Sequence, residues 1–352
     1  MSVRRTERPL IVPIFIPNMG CPRRCIFCQQ EKITAQSNRA VNGRYVKETI
    51  DQAIKSPRFD SCREREVAFY GGTFTSLSIN RMTELLEAVN PYLRQGFFGS
   101  IRVSTRPDEI DDKRLDLIKG FGVSTVELGV QSMDDEVLRL SQRGHTVRDT
   151  FESVNLLKRH GFKVGIQLMP GLPGDSQEIF DRTIEEVIRL RPDIARLYPA
   201  IVINGTELAR WYHDKKYEPL TLEEAIRICQ ESCIRLESKG IRVIRIGLMS
   251  SPSLLQEGQI VAGPWHKSFG FLVRSSIHQK MIEPYLLKPG QASKIGLRAP
   301  SREVSVIRGY KNRGLRLIEA KTGAKIVHIK PDDSVPSGQV RVDVINFESI
   351  RQ

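Results

Sequence analysis

The strongest constraint on the fold is a regular alternation of short apolar or β-branched runs with helical patterns in the first two hundred residues or so. Six runs are predicted as strands, at 10–17, 66–70, 100–104, 124–129, 163–168 and 195–199. Helical patterns lie between them, at 46–56, 79–95, 111–120, 148–160 and 176–191. Because a helix between two strands returns the chain to the same end of the sheet, this order predicts an α/β fold with parallel strands.

The residues that follow these strands favour a partial (β/α)6 TIM-like barrel over an open doubly wound sheet. Five successive strands end in cysteine, glycine or polar residues: Cys21-Pro22-Arg23-Arg24-Cys25, Gly71-Gly72-Thr73, Ser104-Thr105-Arg106, Gln131-Ser132 and Gln167-Leu168-Met169. In β/α barrels the active site is built at the carboxyl ends of the strands. The pattern therefore predicts one site at that rim.

Three closely spaced cysteines, Cys21, Cys25 and Cys28, indicate a metal centre. A [4Fe–4S] cluster is normally held by four cysteine thiolates, so three would leave one iron open to another ligand. A structural zinc site usually takes its ligands as two separated pairs, and the sequence has no second pair of this kind. An incomplete zinc site and simple packing remain the alternatives.

The other cysteines do not suggest a disulfide framework. Cys62 stands alone, and Cys229 and Cys233 lie four residues apart in an apolar helical pattern typical of a protein core. No apolar run reaches the roughly 18 residues that a membrane span needs, and the amino terminus lacks a secretory hydrophobic region. These features predict a cytoplasmic protein with reduced thiols.

The net charge of +13 is concentrated at the two ends of the sequence. Residues 1–65 contain 13 Lys/Arg against 6 Asp/Glu, and residues 285–352 contain the same numbers. Basic ends around a nearly neutral centre fit binding to a polyanion such as RNA. A surface that serves only solubility is the alternative.

The cysteine run with an aromatic residue before its third cysteine, followed by a Gly-Gly-Thr strand end, resembles the radical S-adenosylmethionine superfamily. That resemblance implies a [4Fe–4S] cluster and S-adenosylmethionine as cofactors. It assigns the cluster to Cys21, Cys25 and Cys28, and the adenine contact to Phe27. Gly71, Gly72 and Thr73 correspond to the segment that accepts the methionyl ammonium group.

The branch that resembles anaerobic coproporphyrinogen oxidase and the Elongator catalytic subunit adds further residues. Gln131 follows a Leu-Gly-Val stretch and corresponds to a glutamine near the cofactor, and Arg143, twelve residues later, corresponds to an arginine that reaches the cofactor carboxylate. Ser104 and Gln167 stand where relatives often carry acidic residues for the ribose, and both can still form hydrogen bonds. Met169 is assigned to the cofactor pocket, and His145 is left open between a role in the site and a local hydrogen bond.

The stretch 8–285 resembles the core of the Elongator catalytic subunit, which modifies the wobble uridine of tRNA together with an acetyltransferase domain. Matching motifs include Phe69-Tyr70-Gly71-Gly72-Thr73-Phe74-Thr75, Arg143-Gly144-His145-Thr146 and Met169-Pro170-Gly171-Leu172-Pro173-Gly174. About 68 residues follow position 284, which we expect to be too few for an acetyltransferase fold.

The sequence predicts two domains, a radical S-adenosylmethionine core at 1–284 and a small basic β domain at 285–352. Strands are predicted in the second at 303–307, 314–319, 325–329 and 339–346, with a basic loop at 308–314 that either contacts RNA or forms a solvated hairpin tip.

The resulting hypothesis is a cytoplasmic enzyme that generates a 5′-deoxyadenosyl radical to modify tRNA, with a wobble-uridine-like target. It would take electrons from a low-potential donor such as flavodoxin or ferredoxin. Tyr198 is the candidate for the wall that faces the substrate, with a packed core tyrosine as the alternative. Radical chemistry on a small molecule, as in coproporphyrinogen oxidase, and a non-catalytic iron–sulfur or haem carrier are the other interpretations.

Overall fold

The computed structural model describes residues 9–35, 41–62 and 64–345. The chain forms two compact units. The first contains the chain up to Thr221 together with Arg235–Trp265, and the second contains Leu222–Ile234 and the chain from His266 onward. The domain boundary predicted after residue 284 stays a prediction.

The first unit contains a parallel sheet of seven strands. Its strands and those of a two-stranded ribbon are, in chain order, β1 (Leu10–Phe15), β2 (Arg65–Tyr70), β3 (Ser100–Thr105), β4 (Val123–Gln131), β5 (Lys163–Leu168), β6 (Ile194–Leu197), β7 (Val202–Ile203), β8 (Arg242–Ile246) and β9 (Ile260–Ala262). Strands β7 and β9 pair with each other, and the other seven form the sheet. All six predicted strands are present; β7, β8 and β9 are additional strands that the sequence interpretation did not include, and β8 joins the sheet.

The strand order identifies the sheet as a partial barrel. The sheet follows the order β1-β2-β3-β4-β5-β6-β8, and every neighbouring pair is parallel. A doubly wound sheet would reverse its order at a switch point, whereas a barrel adds each strand beside the previous one. The predicted α/β partial barrel is therefore confirmed.

The helices of the first unit lie between the strands, as the sequence pattern predicts. They are α1 (Gln30–Thr34), α2 (Gly43–Ile54), α3 (Pro57–Ser61), α4 (Ile79–Glu87), α5 (Asn90–Arg94), α6 (Asp112–Gly120), α7 (Asp135–Leu140), α8 (Val147–Arg159), α9 (Gln177–Leu190), α10 (Glu207–His213) and the end of α11 (Leu222–Ser238), which begins in the second unit and belongs to the first from Arg235 onward. Helix α8 begins with a capping box, because Thr146 accepts the Asp149 N–H while the Asp149 carboxylate accepts the Thr146 N–H. Helix α9 turns Phe180, Ile184 and Val187 inward at helical spacing.

The second unit is a mixed sheet with helices. Its remaining elements are α12 (Phe269–Ile282), β10 (Lys294–Ala299), α13 (Val304–Arg308), α14 (Arg313–Thr322), β11 (Lys325–Pro331) and β12 (Arg341–Val344). The strands follow the order β11-β10-β12, in which β10 is parallel to β11 and antiparallel to β12.

Two predicted strands of this unit are wrong. The runs 303–307 and 314–319 fall in helices α13 and α14, because their buried residues recur every four positions. In α14 these residues are Gly314, Ile318 and Thr322. The predicted strand at 325–329 is present as β11, and the run 339–346 contributes β12 in its described part.

Cys229 and Cys233 are fully buried, as expected of core residues. None of the helices that the structure describes combines the length and the apolar character that crossing a bilayer requires.

Candidate active site

A large cavity of about 1900 Å³ lies within the first unit and reaches the carboxyl ends of the sheet strands. Every residue that the sequence analysis assigns to the site lines this cavity, although these residues are far apart in the sequence. These residues are Cys21, Cys25, Phe27, Cys28, Gly71, Gly72, Thr73, Ser104, Gln131, Arg143, Gln167, Met169 and Tyr198. The structure therefore brings the predicted residues together in one place, while their individual roles remain proposals.

The cysteine loop leaves the end of β1 and is tied to the end of β2 by main-chain hydrogen bonds. The Asn18 N–H donates to the Gly71 carbonyl (3.2 Å), and the Thr73 N–H donates to the Met19 carbonyl (2.9 Å). The Cys21 Sγ lies 3.3 Å from the Thr73 hydroxyl. These contacts fix the first cysteine against the Gly-Gly-Thr segment.

Gly72 is required by this close approach. A Cβ on Gly72 would collide with the carbonyl oxygens of Met19 and Ile16, the latter at 2.6 Å. Gly71 has φ +92°, a conformation in which side chains are rarely found. The two glycines therefore allow the β2 end and the cysteine loop to share one side of the cavity.

Two of the three thiols of the cysteine loop have raised pKa values. Burial, followed by the neighbouring Cys25 and Cys21, raises the pKa of Cys28 to about 12. Burial also raises the pKa of Cys21. Binding to a metal deprotonates such thiols and relieves their mutual repulsion. Among the described side chains, no three Cys, His, Asp or Glu residues converge as ligands of a single ion would; in a cubane each thiolate binds a different iron, so its ligands are spread farther apart.

Arg143 lies between the cysteine loop and β4. Its Nη1 donates to the Cys25 Sγ (2.9 Å), and its Nη2 donates to the Gly129 carbonyl (2.5 Å). Only 6% of Arg143 is exposed, and within the described structure its buried Nε has no hydrogen-bond partner. A buried guanidinium on a cavity wall that has an unpaired donor is suited to bind an anion such as a carboxylate.

Two glutamines lie beside this arginine on the cavity wall. Gln131 ends β4 with φ +71°, and its Oε1 accepts from the Gln167 Nε2 of β5 (3.2 Å). A left-handed conformation in a residue other than glycine is uncommon and often marks a ligand site. The pair presents amide groups that can contact a ribose or an amino-acid group.

His145 has a structural contact. Its Nε2 lies 3.2 Å from the Val130 carbonyl, and burial, followed by the charges of Arg143 and Arg106, lowers its pKa to about 3. The ring is therefore neutral at physiological pH, and among the two alternatives the local hydrogen bond is the one observed.

An apolar patch lies at another part of the cavity wall. Phe27 and Met169 both pack against the buried cluster Val137, Leu172 and Ala200. This surface is suited to the flat, apolar faces of a purine ring. Ser104, at the end of β3, provides a hydroxyl on the same cavity.

A buried charge network inside the barrel was not predicted from the sequence. Glu127 of β4 accepts from Arg102 of β3 (Oε1 to Nη1, 2.6 Å) and pairs with Arg196 of β6 (Oε2 to Nε, 2.7 Å). Arg102 also pairs with Glu66 of β2 at 2.5 Å. Gly165 of β5 leaves the space for Glu127, because a Cβ at this position would lie 2.9 Å from the Glu127 Cγ.

The network continues to two tyrosines on the cavity wall. Arg196 donates to the hydroxyls of Tyr70 (2.5 Å) and Tyr198 (3.1 Å). Burial and then the charge of Glu127 raise the pKa of Tyr70, so its hydroxyl keeps its proton. A charged residue flanked by apolar ones within each of three predicted strands, at Arg102, Glu127 and Arg196, is the sequence signal that could have revealed it.

Comparison with known proteins finds two family models that match successive stretches of this chain. Residues 15–187 match the Radical SAM superfamily, and residues 192–279 match the Radical_SAM C-terminal domain. A tRNA uridine(34) acetyltransferase from Dehalococcoides mccartyi is 30% identical over an alignment of 243 residues, and the match covers 59% of this chain and 52% of that protein. The human Elongator complex protein 3 is 38% identical over 135 residues, 36% of this chain and 24% of that protein.

A solved structure agrees with these sequence matches. The archaeal Elp3 of Methanocaldococcus infernus, with an N-terminal deletion, superposes with a TM-score of 0.61 at 26% identity, covering 77% of this chain and 63% of that one. The chain spans a quarter to about half of the two curated relatives above.

The site residues fit the cofactors that these matches imply. Three cavity cysteines suit an iron–sulfur cluster with one open iron, and Arg143 has a free buried donor for a carboxylate. The cofactors of this enzyme are a [4Fe–4S] cluster and S-adenosylmethionine. The chain belongs to the radical S-adenosylmethionine superfamily, with a core similar to that of the Elongator catalytic subunit.

Proposed function

We propose that this enzyme generates a 5′-deoxyadenosyl radical and uses it to modify tRNA at a wobble-uridine-like position. The observation that carries the proposal is the single cavity in which the cysteines, the Gly-Gly-Thr segment, Gln131 and Arg143 meet. The tRNA substrate is supported by relatives that are named as tRNA uridine(34) acetyltransferases.

In this proposal each side of the cavity has a separate task. Cys21, Cys25 and Cys28 hold the cluster, and Arg143 binds the cofactor carboxylate next to Cys25. The backbone around Gly72 accepts the cofactor ammonium group. The chemistry that the two cofactors supply when bound is one-electron cleavage of S-adenosylmethionine to a 5′-deoxyadenosyl radical.

The protein must then orient the target against the deoxyadenosyl group and exclude water. The cavity wall formed by Tyr70, Arg196 and Tyr198 is suited to this task, because Arg196 fixes both tyrosine hydroxyls. Both hydroxyls lie within the cavity lining and can donate hydrogen bonds to a nucleobase. Tyr198 therefore remains the proposed substrate-facing residue.

The proposal is tested with anaerobically reconstituted protein, dithionite and S-adenosylmethionine. We expect release of 5′-deoxyadenosine that is accelerated by unmodified tRNA, together with a mass change at a uridine in the recovered nucleosides. The variant Cys25→Ala should abolish release, while Cys62→Ala should not, since Cys62 does not line the cavity.

The alternatives give different results. Release that tRNA neither accelerates nor alters would favour radical chemistry on a small molecule. An intact cluster without any 5′-deoxyadenosine would refute radical generation and favour a carrier.

A further inference from the structure

The second unit contains a basic loop with an unexpected position in the fold. The loop at 309–312 is not a hairpin tip but joins α13 to α14, and these two helices connect the parallel strands β10 and β11. Both ends of the loop are therefore fixed by helices that pack against the sheet, because Ile307 of α13 and Ile318 of α14 belong to the buried core of the unit.

Helix α12 and two glycines hold the loop in place. The Gln279 Nε2 donates to the Ile307 carbonyl and the Ser275 hydroxyl donates to the Val306 carbonyl, both at 2.8 Å. A Cβ on Gly314 would collide with the Ile307 carbonyl, and one on Gly309 would lie 2.8 Å from the Gly314 nitrogen. The chain can turn this tightly only because both positions are glycine.

The loop backbone adopts a conformation that side chains rarely take. Gly309, Lys311 and Asn312 have φ values of +68°, +50° and +60°. Such conformations persist where the surrounding structure enforces them, and they are frequent in ligand clamps. The Arg316 Nη1 donates to the Lys311 carbonyl (2.8 Å), which adds a cation at the loop.

The surface around the loop is strongly basic. Residues 304–331 contain seven Lys/Arg and one Asp/Glu. That acidic residue, Glu319, accepts the Ile326 N–H at 3.0 Å. Arg308, Lys311 and Arg316 are exposed, and Arg313, also exposed, pairs with Glu223 of α11 at 3.5 Å.

Aromatic and apolar groups accompany these charges. The Tyr310 ring contacts His266 edge to face, with 4.9 Å between the ring centroids. Leu317 is 45% exposed and lies one turn beyond Arg313 on α14. Cations beside exposed apolar groups match a single-stranded nucleic acid, in which phosphates alternate with unstacked bases.

We propose that residues 304–331 form a binding site for single-stranded RNA. The loop 309–312 and Arg313, at the start of α14, hold backbone phosphates, and Tyr310 and Leu317 contact bases. KH modules use a glycine-containing loop in this way to hold four nucleotides of a single strand. The site lies in the second unit, separate from the cavity, and it rests on the proposed function only in taking the substrate to be RNA.

The test measures binding of the full-length reconstituted protein to a labelled single-stranded RNA of about ten nucleotides, well above the four that a KH loop holds. The double variant Lys311→Ala/Arg313→Ala is compared with Lys280→Ala/Lys288→Ala, which removes the same charge from exposed lysines of the unit that lie outside residues 304–331. We expect the first to bind about tenfold more weakly and to lower the slope of log K against log salt by roughly 1.4, since each phosphate contact on a single strand contributes about 0.7. The second should match the wild type.

A further variant, Asn312→Asp, checks the role of the loop without removing a cation. Aspartate tolerates the same left-handed conformation, so the fold is retained while a negative charge meets the phosphates. We expect weaker RNA binding with an unchanged far-ultraviolet circular dichroism spectrum.

An equal loss of RNA affinity in the two double variants would refute the loop site, because the binding would then depend only on the net charge of the surface. Tighter binding to phosphatidylserine vesicles or to double-stranded RNA than to the single strand would also overturn it. Release of 5′-deoxyadenosine in the absence of RNA should be the same in all variants. Loop-dependent RNA binding without any tRNA modification would refute the proposed function and leave this inference intact.

Discussion

The buried network around Glu127 makes a quantitative prediction for the variant Glu127→Gln. The Glu127 carboxylate pairs with two guanidinium groups, and the side chains of Glu127, Arg102 and Arg196 are 6%, 7% and 14% exposed. Arg102 keeps Glu66 as a second partner, so the variant leaves about one buried positive charge without compensation. Breaking a buried pair in this way typically costs about 3–5 kcal/mol.

The assay is urea unfolding of the wild type and the variant at the same ionic strength. A loss of this size would remove a large part of the roughly 5–15 kcal/mol that stabilises a typical domain, so it would be measured easily. The control is Glu152→Gln, which breaks an exposed pair with Arg148 and should cost less than about 0.5 kcal/mol. If Glu127→Gln costs less than about 1 kcal/mol, the network is solvated and the reasoning is wrong.

Three further predictions concern the site and its surroundings. Gly72→Ala should displace the cysteine loop and lower the iron content after reconstitution. Gly99→Ala should not, because a Cβ at Gly99 would meet no atom closer than the Arg65 carbonyl oxygen at 3.9 Å. Equal iron contents in the two variants would contradict this prediction. Arg143→Lys keeps the charge but loses the planar fork, so S-adenosylmethionine should bind about tenfold more weakly in equilibrium dialysis, and an unchanged Kd would exclude the contact. Burial raises the pKa of Asp175 to about 7. Between pH 5 and 7 the native state therefore keeps a proton on Asp175 that the unfolded state has lost, so the free energy of unfolding should fall by up to about 1.4 kcal/mol per pH unit as the pH rises. Asp175→Asn should remove this slope in urea unfolding. An unchanged slope would refute the raised pKa of Asp175.

The sequence predicted most of the first unit because local patterns and tertiary structure agree there. Each of the six strands is an apolar run bounded by loop residues, and the special residues directly follow the strand ends. The partial barrel places the carboxyl ends of all its strands at one rim. Residues that follow the strands in sequence are therefore also close together in the structure. The family resemblance carried by the motif that ends in Cys28 and by the spacing from Gln131 to Arg143 predicted the cofactors.

The prediction was less successful where a short apolar run fits both the two-residue period of a strand and the 3.6-residue period of a helix. In 303–307, an alternating pattern also places Glu303 and Ile307 on one face of a helix, and both residues are buried in the structure. The Glu127 network was missed because its partners come from strands far apart in sequence. Their proximity follows only from the sheet register.

The strand order has a consequence for how a long substrate reaches the cavity. Strands β1 and β8 are the two edges of the seven-stranded sheet within the described residues, and residues of both, such as Phe15 and Arg245, line the same cavity. The segments that follow these two edges are joined by side chains, because the Ser251 and Ser253 hydroxyls, after β8, both donate to the Lys32 carbonyl in α1, after β1. A substrate of the proposed function therefore meets a barrel wall that is closed there by side-chain hydrogen bonds instead of by strand pairing.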